Sequence, residues 1–152
     1  MTQTQPANQT NDKVSLFQAG SLAAWREHTT PHPKMGEIQG KVFLKEKLGL
    51  TGTEMSLGQL EPGEGIPFIH THKQNEETYI FLTGRGEMLL DGETYPVEAG
   101  SVVRVATTVE RSWRNTGEES LNYIVIQAKT DSLEQWTGGD GQITAGDPWQ
   151  TT

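Results

Sequence analysis

The sequence predicts a single all-β domain, a barrel or sandwich built from short strands. Between Lys41 and Ala128 it is a succession of short alternating apolar runs. Gly, Asn, Asp and Pro signals separate them at intervals of about 8–12 residues, the spacing of a sandwich or barrel. Glycine is abundant, at 17 of 152 residues, and only 33% of residues are hydrophobic. That balance suits many turns and short strands better than a helix bundle. Asp91-Gly92 is the strongest short hairpin signal in the chain.

The elements follow in order. Residues 1–13 are Gln, Thr and Asn with little apolar content and read as a disordered tail. Residues 14–130 read as the barrel. Within it, Gly20 to Glu27 suits one or two helical turns with Ser21 as N-cap, and Pro31 and Pro33 force an extended connection. Strands are expected at Val42–Lys47, Glu54–Leu60, Ile66–His72, Glu77–Thr83, Glu87–Leu90, Thr94–Val97, Ser101–Val105, Arg111–Asn115 and Leu121–Ala128. Turns are expected at Glu61-Pro62-Gly63-Glu64-Gly65, at Thr83-Gly84-Arg85-Gly86 and at Asn115-Thr116-Gly117-Glu118. Residues 131–152 hold Trp136 and Trp149 among Gly, Asp and Thr. Two tryptophans are costly to leave in water, so this tail is expected to pack on the barrel or on a partner subunit.

Composition narrows the function classes. A net charge of −8 argues against nucleic-acid binding, which needs clustered Lys and Arg, and against anionic membranes. The absence of cysteine excludes disulfides, thiolate metal sites and cysteine nucleophiles. No basic segment followed by an apolar stretch opens the chain, and no apolar run is long enough to span a bilayer. The expectation is a cytoplasmic protein. No serine sits in a strand-to-helix elbow. Glu76 and Glu77 are adjacent on a strand, point to opposite faces and cannot form a glycosidase dyad.

The run His70-Thr71-His72-Lys73-Gln74-Asn75-Glu76-Glu77 carries the chemistry. Residues i and i+2 of a strand point to one face, so His70 and His72 would project together. A polar turn over Lys73–Glu76 would fold Glu77 back beside them. Two imidazoles and a carboxylate on a rigid hairpin suit a first-row transition metal. Gln74 lies close enough to offer an amide oxygen. Tyr79, Phe81 and Trp113 are expected to face the interior, and Trp113 shares a face with Arg111.

With His70, His72, Glu77 and Gly84 in register, and Gly100 and Asn115 fifteen residues apart, the chain resembles a cupin. The resemblance covers about Val42 to Ala128. It implies a double-stranded β-helix, or jelly-roll barrel, with the site inside, and a homodimer. It also implies a fourth metal ligand, a histidine, at the position held here by Arg111. Arginine is protonated and has no free lone pair, so it cannot ligate.

Three readings of the site follow. In the first, His70, His72 and Glu77 hold Fe, Mn, Ni, Cu or Zn with open positions. Arg111, Trp113 and Tyr79 then bind substrate, and Arg111 anchors an anion through its fork. A dioxygenase-like oxidoreductase or an isomerase would use this arrangement. In the second, Arg111 replaces the metal, pairs with Glu77, and leaves a non-catalytic binding module for a small anionic metabolite with no cofactor. Electrostatics lends it weight, since a single positive charge ~5 Å from a divalent ion repels it by roughly 7 kcal/mol at an effective dielectric of ~20. In the third, the histidines are inert residues at the barrel mouth.

Overall fold

The structure is a computed structural model that describes residues 8–10 and 13–150. Two sheets face each other. The larger is formed by Lys41–Phe43 (β5), Glu54–Leu60 (β6), Asn75–Phe81 (β7), Val102–Val105 (β10) and Leu121–Lys129 (β12), in the spatial order β10-β7-β12-β6-β5. The smaller is formed by Arg85–Leu90 (β8), Glu93–Glu98 (β9) and Arg111–Asn115 (β11), in the order β11-β8-β9. All pairings are antiparallel. Two hairpins precede them: Asn8–Thr10 (β1) with Ser15–Phe17 (β2), and Thr29–His32 (β3) with Gly36–Gln39 (β4).

Strand alternation sorts the core into two layers. Inward residues of both sheets, including Tyr79, Phe81, Met88, Trp113, Leu121 and Tyr123, form the main cluster between the sheets. The outer face of the large sheet carries a second cluster, in which Val42 and Leu57 pack with Trp25 from a 3₁₀ helix at Leu22–Glu27. Asn122 fastens this layer: its amide donates to the Leu22 carbonyl at 2.8 Å and its side-chain oxygen accepts from Thr83 at 3.1 Å. Asn115 donates to the carbonyls of Leu60 and Glu119 at 2.8 and 2.7 Å, closing the β11–β12 turn.

Several elements differ from the sequence reading. The strand expected at Val42–Lys47 stops at Phe43, and Lys45–Leu48 closes a single α-helical turn (α1). Pro31 and Pro33 stand within or beside a hairpin, where Pro31 occupies a strand position in β3. Ile66–His72 is not a regular strand. It runs along β11 through isolated bridges, Gly65 to Arg114 and His70 to Arg111, because Pro67 has no N–H to continue the ladder. Of the tail expected over 1–13, residues 1–7 and 11–12 lie outside the described residues, while Asn8–Thr10 is a strand. The C-terminal segment does not pack on its own barrel. Leu133, Trp136, Ile143 and Trp149 are all exposed, and Trp136 lies instead over Gly138 of the short helix Thr137–Asp140 (α2).

The hairpin at Asp91-Gly92 forms as its sequence requires, with φ of 49° and 83° at the two turn residues. Gly58 has a different task. A Cβ there would stand 2.3 Å from Cζ of Tyr123, so the missing side chain is the space that the Tyr123 ring fills. Gly58→Ala is therefore expected to lower stability by about 1–3 kcal/mol through overpacking. Urea denaturation of the parent and variant measures it, and an unchanged midpoint would contradict this packing.

Candidate metal centre and cavity

The inward face of β7 runs from core to cavity as Phe81, Tyr79 and Glu77, all buried. Glu77 is thus the polar end of an otherwise apolar row. Across from it, the segment after Pro67 is pinned to β11 by two backbone hydrogen bonds between His70 and Arg111, at 3.2 and 3.0 Å. His72 is held separately, its N–H donating to the Thr107 carbonyl at 3.0 Å. The two imidazoles meet nearly edge-to-face, 5.3 Å apart between centroids. Their Nε2 atoms lie 3.8 Å (His70) and 3.0 Å (His72) from Glu77 Oε1.

One ligand atom from each of His70, His72 and Glu77 can be chosen so that all lie within 4.8 Å of one another. Two imidazole nitrogens and a carboxylate oxygen suit a divalent first-row metal. Burial lowers the pKa of His72, outweighing the opposing pull of Glu77, which favours the neutral imidazole that ligates. The residues therefore fit such an ion. Gln74 is exposed, and its backbone carbonyl accepts from the Thr130 N–H at 3.0 Å.

Arg111 is fully buried, and its contacts differ from those expected of a substrate anchor. Nη1 donates to Glu77 Oε1 at 2.7 Å, Nη2 donates to the Ala106 carbonyl at 2.6 Å, and Nε donates to the Val109 carbonyl at 3.1 Å. Nη2 also reaches the Thr107 and Val109 carbonyls. The guanidinium is committed to the protein and is not part of the cavity wall. Tyr79 is likewise turned inward, its hydroxyl donating to Glu77 Oε1 at 2.8 Å. Burial, reinforced by the Glu77 charge, raises its pKa. Of the three residues expected to bind substrate, only Trp113 lines the cavity.

That cavity has a volume of about 270 Å³. His70, His72 and Glu77 form its polar end, and Phe43, Phe68, Ile66, Trp113, Tyr123 and Val125 supply apolar wall. His32 also lines the cavity and stacks on Phe68 at 5.9 Å between ring centroids. His28 lies away from the site, bonded to the Ala19 carbonyl at 2.8 Å. Sequence reasoning missed Lys41 and Tyr123. Both line the cavity, and neither belongs to a motif. The alternation that buries Val42 on the outer face is the one signal that turns Lys41 and Phe43 inward.

The comparisons with known proteins agree with this architecture. The sequence model of the cupin domain matches residues 56–127. A crystallised cupin protein from Bacteroides fragilis is 39% identical, with a TM-score of 0.67 over 69% of this chain and 89% of that one. The chain belongs to the cupin family. This cupin is also similar to a protein named polyketide synthase CurC from Streptomyces cyaneus, 31% identical over 94 residues, which are 62% of this chain and 60% of that protein. The chain thus spans about three-fifths of that relative's length. An oxalate-binding protein from Thermotoga maritima is 26% identical over 92 residues, covering 60% of this chain and 75% of that protein.

Burial alone would raise the Glu77 carboxyl. The imidazoles, the Tyr79 hydroxyl and Arg111 outweigh it and bring the pKa down to about 2 from 4.5. The stabilisation this represents, about 3 kcal/mol, is fully present above pH 4.5 and is lost as pH falls towards 2. In chelator-treated protein, Glu77→Gln is expected to be less stable than the parent near neutral pH, and the gap should close as pH falls through that window. Urea titrations at several pH values test this. A gap independent of pH would contradict the assigned pKa.

Proposed function

We propose that this cupin is a metal-dependent protein whose His70, His72 and Glu77 hold one divalent first-row ion at the polar end of a small-molecule cavity. The observation that carries the reading is the convergence of two imidazole Nε2 atoms on a buried carboxylate. A bound ion would polarise a substrate oxygen or support redox chemistry, as an oxidoreductase or isomerase requires. The chain's own residues do the rest. Arg111 and Tyr79 fix the Glu77 carboxylate, Trp113 and Phe68 wall off water, and the small cavity admits one compact substrate. The names of relatives, an oxalate-binding protein among them, support a small-molecule ligand.

One observation favours a second reading. The Glu77–Arg111 pair already neutralises the carboxylate, and that arrangement also serves a metal-free binding module for a small anion. A homodimer accompanies either reading, supported by the exposed Leu133, Trp136, Ile143 and Trp149, which a partner subunit would cover.

Elemental analysis of untagged protein separates the two. The first reading predicts about one equivalent of Fe, Mn, Ni, Cu or Zn per chain, lost in His72→Ala. No retained metal after supplementation would overturn it in favour of the binding module.

A further inference from the structure

Lys41 is the only lysine or arginine among the described residues that line the cavity. It pairs across β5–β6 with Gly58, the position whose missing side chain admits the Tyr123 ring. Val42 beside it faces the outer cluster, so alternation sends the Lys41 side chain inward. Its ammonium stands over three rings, 5.1 Å from the centroid of Tyr123, 5.4 Å from Phe43 and 5.9 Å from Trp113.

These contacts leave its hydrogen-bonding capacity unused. An ammonium carries three N–H donors, and aromatic faces attract its charge without offering lone pairs in the manner of an oxygen. Among the described residues Lys41 Nζ makes no salt bridge and no hydrogen bond, whereas the neighbouring cation Arg111 has every arm engaged. A partly buried ammonium with free donors facing a cavity is arranged to meet an anion. The surroundings fit that anion to an apolar body, because Phe43, Phe68 and Trp113 line the space beside it. The volume of about 270 Å³ limits that body to little more than one ring.

We infer that Lys41 is the anion anchor of the cavity and binds the carboxylate of a small aromatic or apolar monocarboxylate whose far end reaches His70, His72 and Glu77. The inference rests on the cavity being the substrate site of the proposed function, but it does not require the ion. Burial holds the ammonium at about 8, below its usual 10.5, against the pull of Glu77 and Glu54. It is therefore mostly charged at neutral pH.

The test is calorimetric titration of the untagged full chain at pH 7 with benzoate and phenylacetate, and with the matching neutral amides. Parent, Lys41→Met and Lys41→Arg are compared, each metal-loaded and chelator-treated, with thermal melts to confirm that the variants fold. The expected result is a carboxylate preference of at least about tenfold in the parent. Lys41→Met should abolish it without weakening amide binding, and Lys41→Arg should keep part of it. The preference should persist after chelation, so a failure of the metal reading would leave it standing. Equal binding of acid and amide, or an unchanged preference in Lys41→Met, would overturn the inference. So would a preference that vanishes on chelation, which would assign the anion to the metal, or failure of the parent to bind either acid.

Discussion

The buried pair between Arg111 and Glu77 is the interaction on which the site depends. Both side chains are buried, and removing one partner of such a pair typically costs about 3–5 kcal/mol. Arg111 does more than neutralise a charge. Its side chain holds the Glu77 carboxylate, its backbone exchanges two hydrogen bonds with His70, and its guanidinium grips the Thr107 carbonyl that also anchors the His72 backbone. All three candidate ligands are thus tied to one residue. Where the family pattern has a ligand, this chain has the post to which the three candidate ligands are fastened.

This placement changes the electrostatics of the centre. With the Arg111 guanidinium bonded to the Glu77 carboxylate, the one formal negative charge of the donor set is offset. An ion there would be attracted mainly by imidazole lone pairs, and the softer first-row metals gain relative to Mg or Ca. The positive charge the sequence assigns to substrate binding is withdrawn behind the cavity wall. Lys41, from the opposite sheet, supplies the one that faces the cavity among the described residues. The aromatic wall keeps that charge in a poorly solvated setting, where an anion is bound more strongly than in water.

Much of the fold was legible because β periodicity is a local signal. Glu54–Leu60 and Arg111–Asn115 have the expected limits, and Asp91-Gly92 turns where its two residues demand. The convergence of His70, His72 and Glu77 was legible because the three lie within eight residues of one another in sequence. What failed depends on tertiary context. Nothing in Val42–Lys47 announces that Lys45–Leu48 coils into a helical turn. The alternating pattern of Ile66–His72 survives as an extended path, yet Pro67 denies it a regular ladder. Trp113 was placed correctly from its strand face. Arg111 shares that face, but its side chain turns to the carbonyls of residues 106, 107 and 109, which no periodicity reveals. Lys41 is silent in sequence because its meaning comes from Gly58 and Tyr123 on two other strands.

The central claim is that Arg111 supports the metal site and does not replace it. The most direct measurement is anomalous diffraction from crystals of the protein loaded with Mn or Zn. The account predicts a single peak about 2.0–2.2 Å from one nitrogen of His70, one of His72 and a Glu77 oxygen, with Arg111 still bonded to that carboxylate. A peak elsewhere, or an Arg111 side chain expelled from Glu77 on loading, would contradict it.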